Sequence, residues 1–112
     1  MKKIIFCLPI LILIACKEEK AKLTIHNSVS NAELSSITCD RFSIDGSLIP
    51  GEEANDEVRD KKDKFPISGQ VSFYMTAQGN KVYLKTKETF TIQAGDDKTI
   101  TISDDTPVYS SK

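Results

Sequence analysis

The side chains equipped for chemistry in this sequence are few: the thiols of Cys7, Cys16 and Cys39, the single imidazole of His26, the carboxylate pairs Asp96-Asp97 and Asp104-Asp105, and the phenols of Tyr74 and Tyr83. A thiol or hydroxyl becomes a nucleophile when a base activates it and a third group orients the base. No serine stands in a Gly-x-Ser-x-Gly or Ser-x-x-Lys context, and nothing at a marked spacing accompanies His26. Glycine-rich phosphate loops, a His-Glu-x-x-His helix and Cys-x-x-Cys pairs are absent from the sequence. The expectation is a protein with no catalytic residue, no metal site and no cofactor. Acidic pairs on turns supply oxygen ligands of the kind calcium takes, but neither pair has the Asp-x-Asp-x-Asp-Gly spacing, and aspartate is an ordinary turn residue.

Size and charge narrow the classes further. The 112 residues suit one small domain. Removing Lys2 and Lys3 from the 15 basic residues leaves 13 against 16 acidic ones. Nucleic-acid binding needs clustered positive charge and is therefore not expected. Hydrophobic residues are 39% of the chain, and many lie in the first fourteen positions. The remaining core must be thin, which suits two packed sheets better than a fold with a deep cleft.

The amino end has three parts. Lys2 and Lys3 are followed by the eleven apolar residues Ile4 to Ile14, and then by Ala15, Cys16 and the charged run Lys17-Glu18-Glu19-Lys20. Eleven residues are too few for a bilayer that needs about 20, so the segment reads as a secretory signal. Its end, Leu13-Ile14-Ala15-Cys16, resembles the lipobox of bacterial lipoproteins. The resemblance implies cleavage after Ala15 and acylation of Cys16 by diacylglycerol and fatty acid such as palmitate, which makes the lipid bilayer a partner. At about 0.8 kcal/mol per buried methylene, two or three acyl chains give durable anchoring. Lys17 is not the aspartate of inner-membrane retention in lipoproteins of enteric type, so the resemblance favours the outer membrane. The Lys-Glu-Glu run also resembles the acidic signal that places some lipoproteins on the cell surface, and equally serves as a solvated spacer. The expected organisation is a signal peptide over 1–15, a lipidated tether over 16–22 and a domain over 23–112. Cys39 is then an unpaired thiol, expected as a small buried hydrophobe.

From Leu23 onward the apolar residues recur at period two, the mark of half-buried strands. Leu23 and Ile25 alternate with Thr24 and His26. Ile37 and Cys39 have one parity and Phe42 and Ile44 the other, which predicts a bulge or bend near Asp40-Arg41. Asp45-Gly46, Pro50-Gly51 and Gln78-Gly79-Asn80 read as turns. One strand is expected from Phe65 to Met75, and a hairpin at Gly95-Asp96-Asp97-Lys98. The predicted fold is all-β, a small antiparallel β-sandwich of about six to eight strands. The succession of Ile49-Pro50-Gly51-Glu52, Phe73-Tyr74-Met75 and the closing Thr99-Ile100-Thr101-Ile102 resembles small immunoglobulin-like or transthyretin-like lipoprotein domains, which implies the fold and no activity.

Two surfaces are expected to meet a partner. Gly51 to Lys64 holds ten charged residues in fourteen and only Ala54 and Val58 as aliphatic ones. It reads as a solvated loop offering Glu57, Arg59 and Lys61, with one or two helical turns as the alternative. Tyr74 and Tyr83, with Gln70 and Lys85, suit an outer strand face that takes an envelope protein or a glycan. The functional expectation is a membrane-anchored envelope binding module. The alternative is an accessory lipoprotein subunit of a transport or secretion assembly.

Overall fold

The computed structural model describes residues 18–110. The apolar segment, the cleavage position and Cys16 lie outside the described residues. Ten strands follow one another: β1 (Glu19–Ser28), β2 (Glu33–Cys39), β3 (Phe42–Leu48), β4 (Glu53–Asp60), β5 (Ile67–Gly69), β6 (Val71–Ala77), β7 (Asn80–Thr86), β8 (Phe90–Ile92), β9 (Asp97–Ser103) and β10 (Val108–Ser110). A 3-10 turn at Lys62–Lys64 links β4 to β5. The strands form a three-stranded sheet β4-β1-β9, a five-stranded sheet β10-β7-β6-β2-β3 and the short pair β5-β8. This is the expected all-β sandwich. Its one parallel pairing joins β1 to β9.

The period-two pattern explains the packing. Ala21, Leu23 and Ile25 of β1 and Ile100 and Ile102 of β9 face the core, as do Leu34, Ile37 and Cys39 of β2, Phe42 and Ile44 of β3, and Val71 and Phe73 of β6. Burying each of the larger side chains stabilises the fold by roughly 1.5–3 kcal/mol. Two polar residues, Asn27 and Thr86, are fully buried, and Asn27 crosses between strands. The Asn27 Nδ2 donates to the carbonyls of Ala32 (3.0 Å) and Leu48 (2.7 Å), and its Oδ1 accepts the Val29 N–H (2.9 Å). It ties β1 to the end of β3, and every one of its bonds is needed because water cannot reach them.

Six expectations are corrected. Strand β1 begins at Glu19, and Ala21 is buried, so Glu19 to Lys22 belong to the domain rather than to a tether. The charged stretch Gly51 to Lys64 is not a loop: Glu53 to Asp60 form β4, paired residue by residue with β1. Ala54, Asp56, Val58 and Asp60 are half-buried while Glu53, Asn55, Glu57 and Arg59 are exposed, and Ala54 and Val58 pack against the core. High charge is compatible with a strand here because β4 is an edge, where charge discourages pairing with other chains.

The run from Phe65 to Met75 splits at Gln70. β5 pairs with β8, and β6 enters the five-stranded sheet. A side chain at Gly69 would place its Cβ 3.1 Å from the Asp40 Cβ, tighter than ordinary contact, so glycine suits this close approach. Asp40-Arg41 is the tight turn of the β2-β3 hairpin, with Cys39 opposite Phe42, and the bulge lies farther along, where Asp45-Gly46 faces Ser36. Gly46 has φ +77°, the left-handed region that glycine enters freely, so the pair that reads as a turn bends a strand instead. Finally, Gly95 to Lys98 closes no hairpin, because β9 crosses to lie parallel to β1.

Candidate functional site: the outer face of the five-stranded sheet

Alternation puts every second residue of β2, β3, β6, β7 and β10 on the side away from the core. The register aligns these residues in rows across the strands. One row is Tyr109, Lys85, Ser72, Thr38 and Ser43; the next is Tyr83, Tyr74, Ser35 and Ser47; the third is Lys81, Thr76 and Glu33. The chain has three tyrosines, and all three stand on this face. No Leu, Ile, Val, Phe or Met stands among them.

Tyr74 and Tyr83 are directly opposite each other, with ring centroids 4.9 Å apart and planes tilted by 48°. Such a pair adds about 0.5–1.5 kcal/mol beyond the area it buries. The Lys81 ammonium lies 4.8 Å from the Tyr74 ring centroid, a cation–π contact. Tyr109, on the edge strand, is held in place by Gln70, whose Nε2 donates both to its Oη (3.0 Å) and to the Thr86 carbonyl (3.0 Å). Thr86 is itself fully buried; its Oγ1 accepts the Val71 N–H and donates to the Glu88 carbonyl, each at 3.0 Å. Tyr109 is therefore positioned by a bonded frame.

Beside the rings the sheet dips at the bulge. Ser35, Ser36, Thr38, Ser43, Asp45 and Ser47 line a shallow groove of about 590 Å³, with Lys81 at its rim. Hydroxyls both donate and accept, so this groove offers adaptable hydrogen bonds next to aromatic surface. Lys81 and Lys85 make no ion pair among the described residues.

The structure does not bring the two expected partner surfaces together. Glu57 and Arg59 point outward from the three-stranded sheet, on the far side of the sandwich, and Lys61 follows β4. Glu57 is engaged by Lys20 (3.5 Å) and Arg59 (3.9 Å). Asp60 accepts from Arg41 Nη1 (2.6 Å) and from the Lys61 N–H (2.8 Å), and these bonds, the backbone one foremost, hold its carboxyl below the ordinary range. The segment is a paired strand rather than a loop, and Glu57, Arg59 and Lys61 remain exposed along it. Tyr109, Lys81 and the serine rows were missed from the sequence; parity puts Lys81 on the Tyr83 side of β7, whereas Tyr109 and the serine rows need the strand order.

The remaining chemically capable groups stand apart. Cys39 is buried with its Sγ 3.7 Å from the Gly69 carbonyl, and burial, aided by the charge of Asp40, pushes its thiol up to about 11. The nucleophilic thiolate is scarce there at neutral pH. His26 is on the other sheet, between Glu53 and Thr101. Asp104 accepts from the Ser30 hydroxyl (2.7 Å) and N–H (2.9 Å), which lower its carboxyl in that order. Asp96 accepts the Gln93 N–H (2.7 Å). Comparison with family models, curated proteins and solved structures finds no match.

Proposed function

We propose that this chain is an envelope lipoprotein, anchored through acylated Cys16 at the outer membrane, whose sandwich is a non-catalytic module that binds a glycan on the outer face of the five-stranded sheet. The observation that carries the ligand assignment is the gathering of all three tyrosines beside rows of serine and threonine hydroxyls. A sugar has apolar C–H faces that stack on aromatic rings and hydroxyls that need donors and acceptors. A protein interface of the usual kind has an apolar centre, and this face has none. The anchor reading is supported by the Leu13-Ile14-Ala15-Cys16 motif at the end of a short apolar run.

Two experiments test it. The purified protein is titrated with a panel of neutral and acidic oligosaccharides while backbone amide shifts are followed by NMR. Shifts confined to β2, β6 and β7 and lost in Tyr83→Ala are expected; no shift with any member, or shifts confined to the three-stranded sheet, overturns the glycan site. In cells, a fatty-acid probe labels the parent but not Cys16→Ser, and a serine variant that still takes up label ends the anchor reading.

A further inference from the structure

A sheet edge is a row of unused N–H and C=O groups, and proteins ordinarily blunt each one. Three of the four edges of the two larger sheets are blunted among the described residues. β4 carries five charges in eight residues; β3 is bulged, and the Asp56 carboxylate occupies its Ser43 N–H at 2.9 Å; β10 is three residues long. The outer edge of β9 is different. From Thr99 to Ser103 it has no charge, no proline and no bulge, and it alternates Thr and Ile, residues that favour strands.

Hydrogen-bond parity shows what this edge offers. The Lys22 N–H bonds the Asp96 carbonyl at 2.8 Å, so in the parallel ladder the even-numbered residues of β9 turn their backbone groups toward β1. The odd-numbered ones turn theirs away. Ser103 agrees: its N–H goes to Thr106 Oγ1 (2.8 Å) and its carbonyl accepts the Thr106 N–H (3.1 Å) within the adjoining turn. Thr99 and Thr101 are left, with Asp97 at the start of the strand; all three are exposed and have no backbone partner on this edge among the described residues.

We infer that the β9 edge is a self-association surface, on which a second copy of this chain lays its own β9 antiparallel, with Thr99 opposite Thr101 of the copy about a two-fold axis at Ile100. The free groups of Thr99 and Thr101 are placed symmetrically about Ile100, so this register satisfies those four in each copy. It sets Ile100 beside Ile100 of the copy at the rim of the two cores. Lys98, half-buried and without an ion pair among the described residues, falls on the diagonal toward the acidic turn Asp104-Asp105 of the copy. The two three-stranded sheets become one of six strands, and both tyrosine faces remain open.

A contact of one strand edge is smaller than the roughly 1,000 Å² of a stable interface, so it is best trapped in place. Full-length Thr99→Cys and Thr101→Cys chains with different tags are expressed together and oxidised with copper phenanthroline in intact cells, and mixed-tag dimers are read on a non-reducing gel. The mixture should give several-fold more dimer than either variant paired with itself, while the parent, whose Cys39 is buried, gives the blank. Equal yields in all pairings, no dimer in any, or disulfides only to a different protein overturn the inference. Ser43→Cys paired with Ser47→Cys on the blunted β3 edge should show no such excess. Circular dichroism matching the parent confirms that each variant is folded.

Discussion

The two outer faces of this sandwich are built by the same alternation and end with opposite characters. On the three-stranded sheet the charges are matched across strands: Lys20 meets Glu57, Lys22 stands between Glu57 and Asp97, and His26 stands beside Glu53. On the five-stranded sheet two lysines flank stacked tyrosines and look onto hydroxyls, without ionic partners among the described residues. A face whose charges stand opposite their complements across the strands has less left to offer a ligand. A face with unmatched cations, ring surface and hydroxyls is unfinished by itself, and that contrast is the ground for placing binding on one side and structure on the other.

The contrast is open to direct attack. The most severe test replaces Glu53 to Asp60 by a Gly-Ser linker. If the charged strand is structural, β1 loses one whole ladder and the core loses Ala54 and Val58, and stability should fall by more than about 3 kcal/mol in a thermal or denaturant melt. A melting temperature close to the parent's would return the segment to the status of a dispensable loop. Next in size is Asn27→Ala, which strands two buried carbonyls and one N–H and should cost about 2–4 kcal/mol by urea unfolding, with the oligosaccharide titration unaltered in the fraction that stays folded.

Tyr83→Ala sharpens the comparison from the other side. It removes half of the aromatic pair, for a stability loss of about 1 kcal/mol, but should abolish oligosaccharide-induced NMR shifts. Arg59→Ala on the opposite face should change stability by less than about 0.5 kcal/mol and leave those shifts intact. If both substitutions weaken binding alike, the two faces are not functionally distinct.

The smallest effect is expected from acid. The carboxyls of Asp60 and Asp104 titrate lower in the folded protein than in the unfolded chain. Their contribution is therefore complete above the ordinary aspartate value of about 3.9 and is lost as pH falls through the lowered folded values. The melting temperature should decline slightly below about pH 4, and Asp104→Asn should remove part of that decline.

The core was legible because burial writes a period-two signature: Leu23 and Ile25, Val71 and Phe73, and Ile100 and Ile102 all face inward as their spacing indicates. Pairing was less legible, since alternation fixes a residue's face but not its neighbour. Nothing local marks β9 as the parallel partner of β1, or separates a turn at Asp45-Gly46 from a bulge. β4 was hidden for another reason. Its inward acids, Asp56 and Asp60, are half-buried because they reach the Ser43 N–H and Arg41, partners 13 and 19 residues away in sequence. Of the proposed binding face, Tyr74, Tyr83, Gln70 and Lys85 were visible by parity; Tyr109 and the hydroxyl rows required the strand order.

The central position of β1 has a mechanical meaning. It is flanked by eight register pairs to β4 and seven to β9. With the anchor proposed at Cys16, β1 is the strand that follows it, and any pull directed along that strand runs across the direction of its hydrogen bonds. Bonds loaded in shear resist together, whereas bonds peeled from one end fail singly. The strand next to the anchor is thus clamped on both sides, and the sandwich is suited to carry tension between the membrane and whatever it grips.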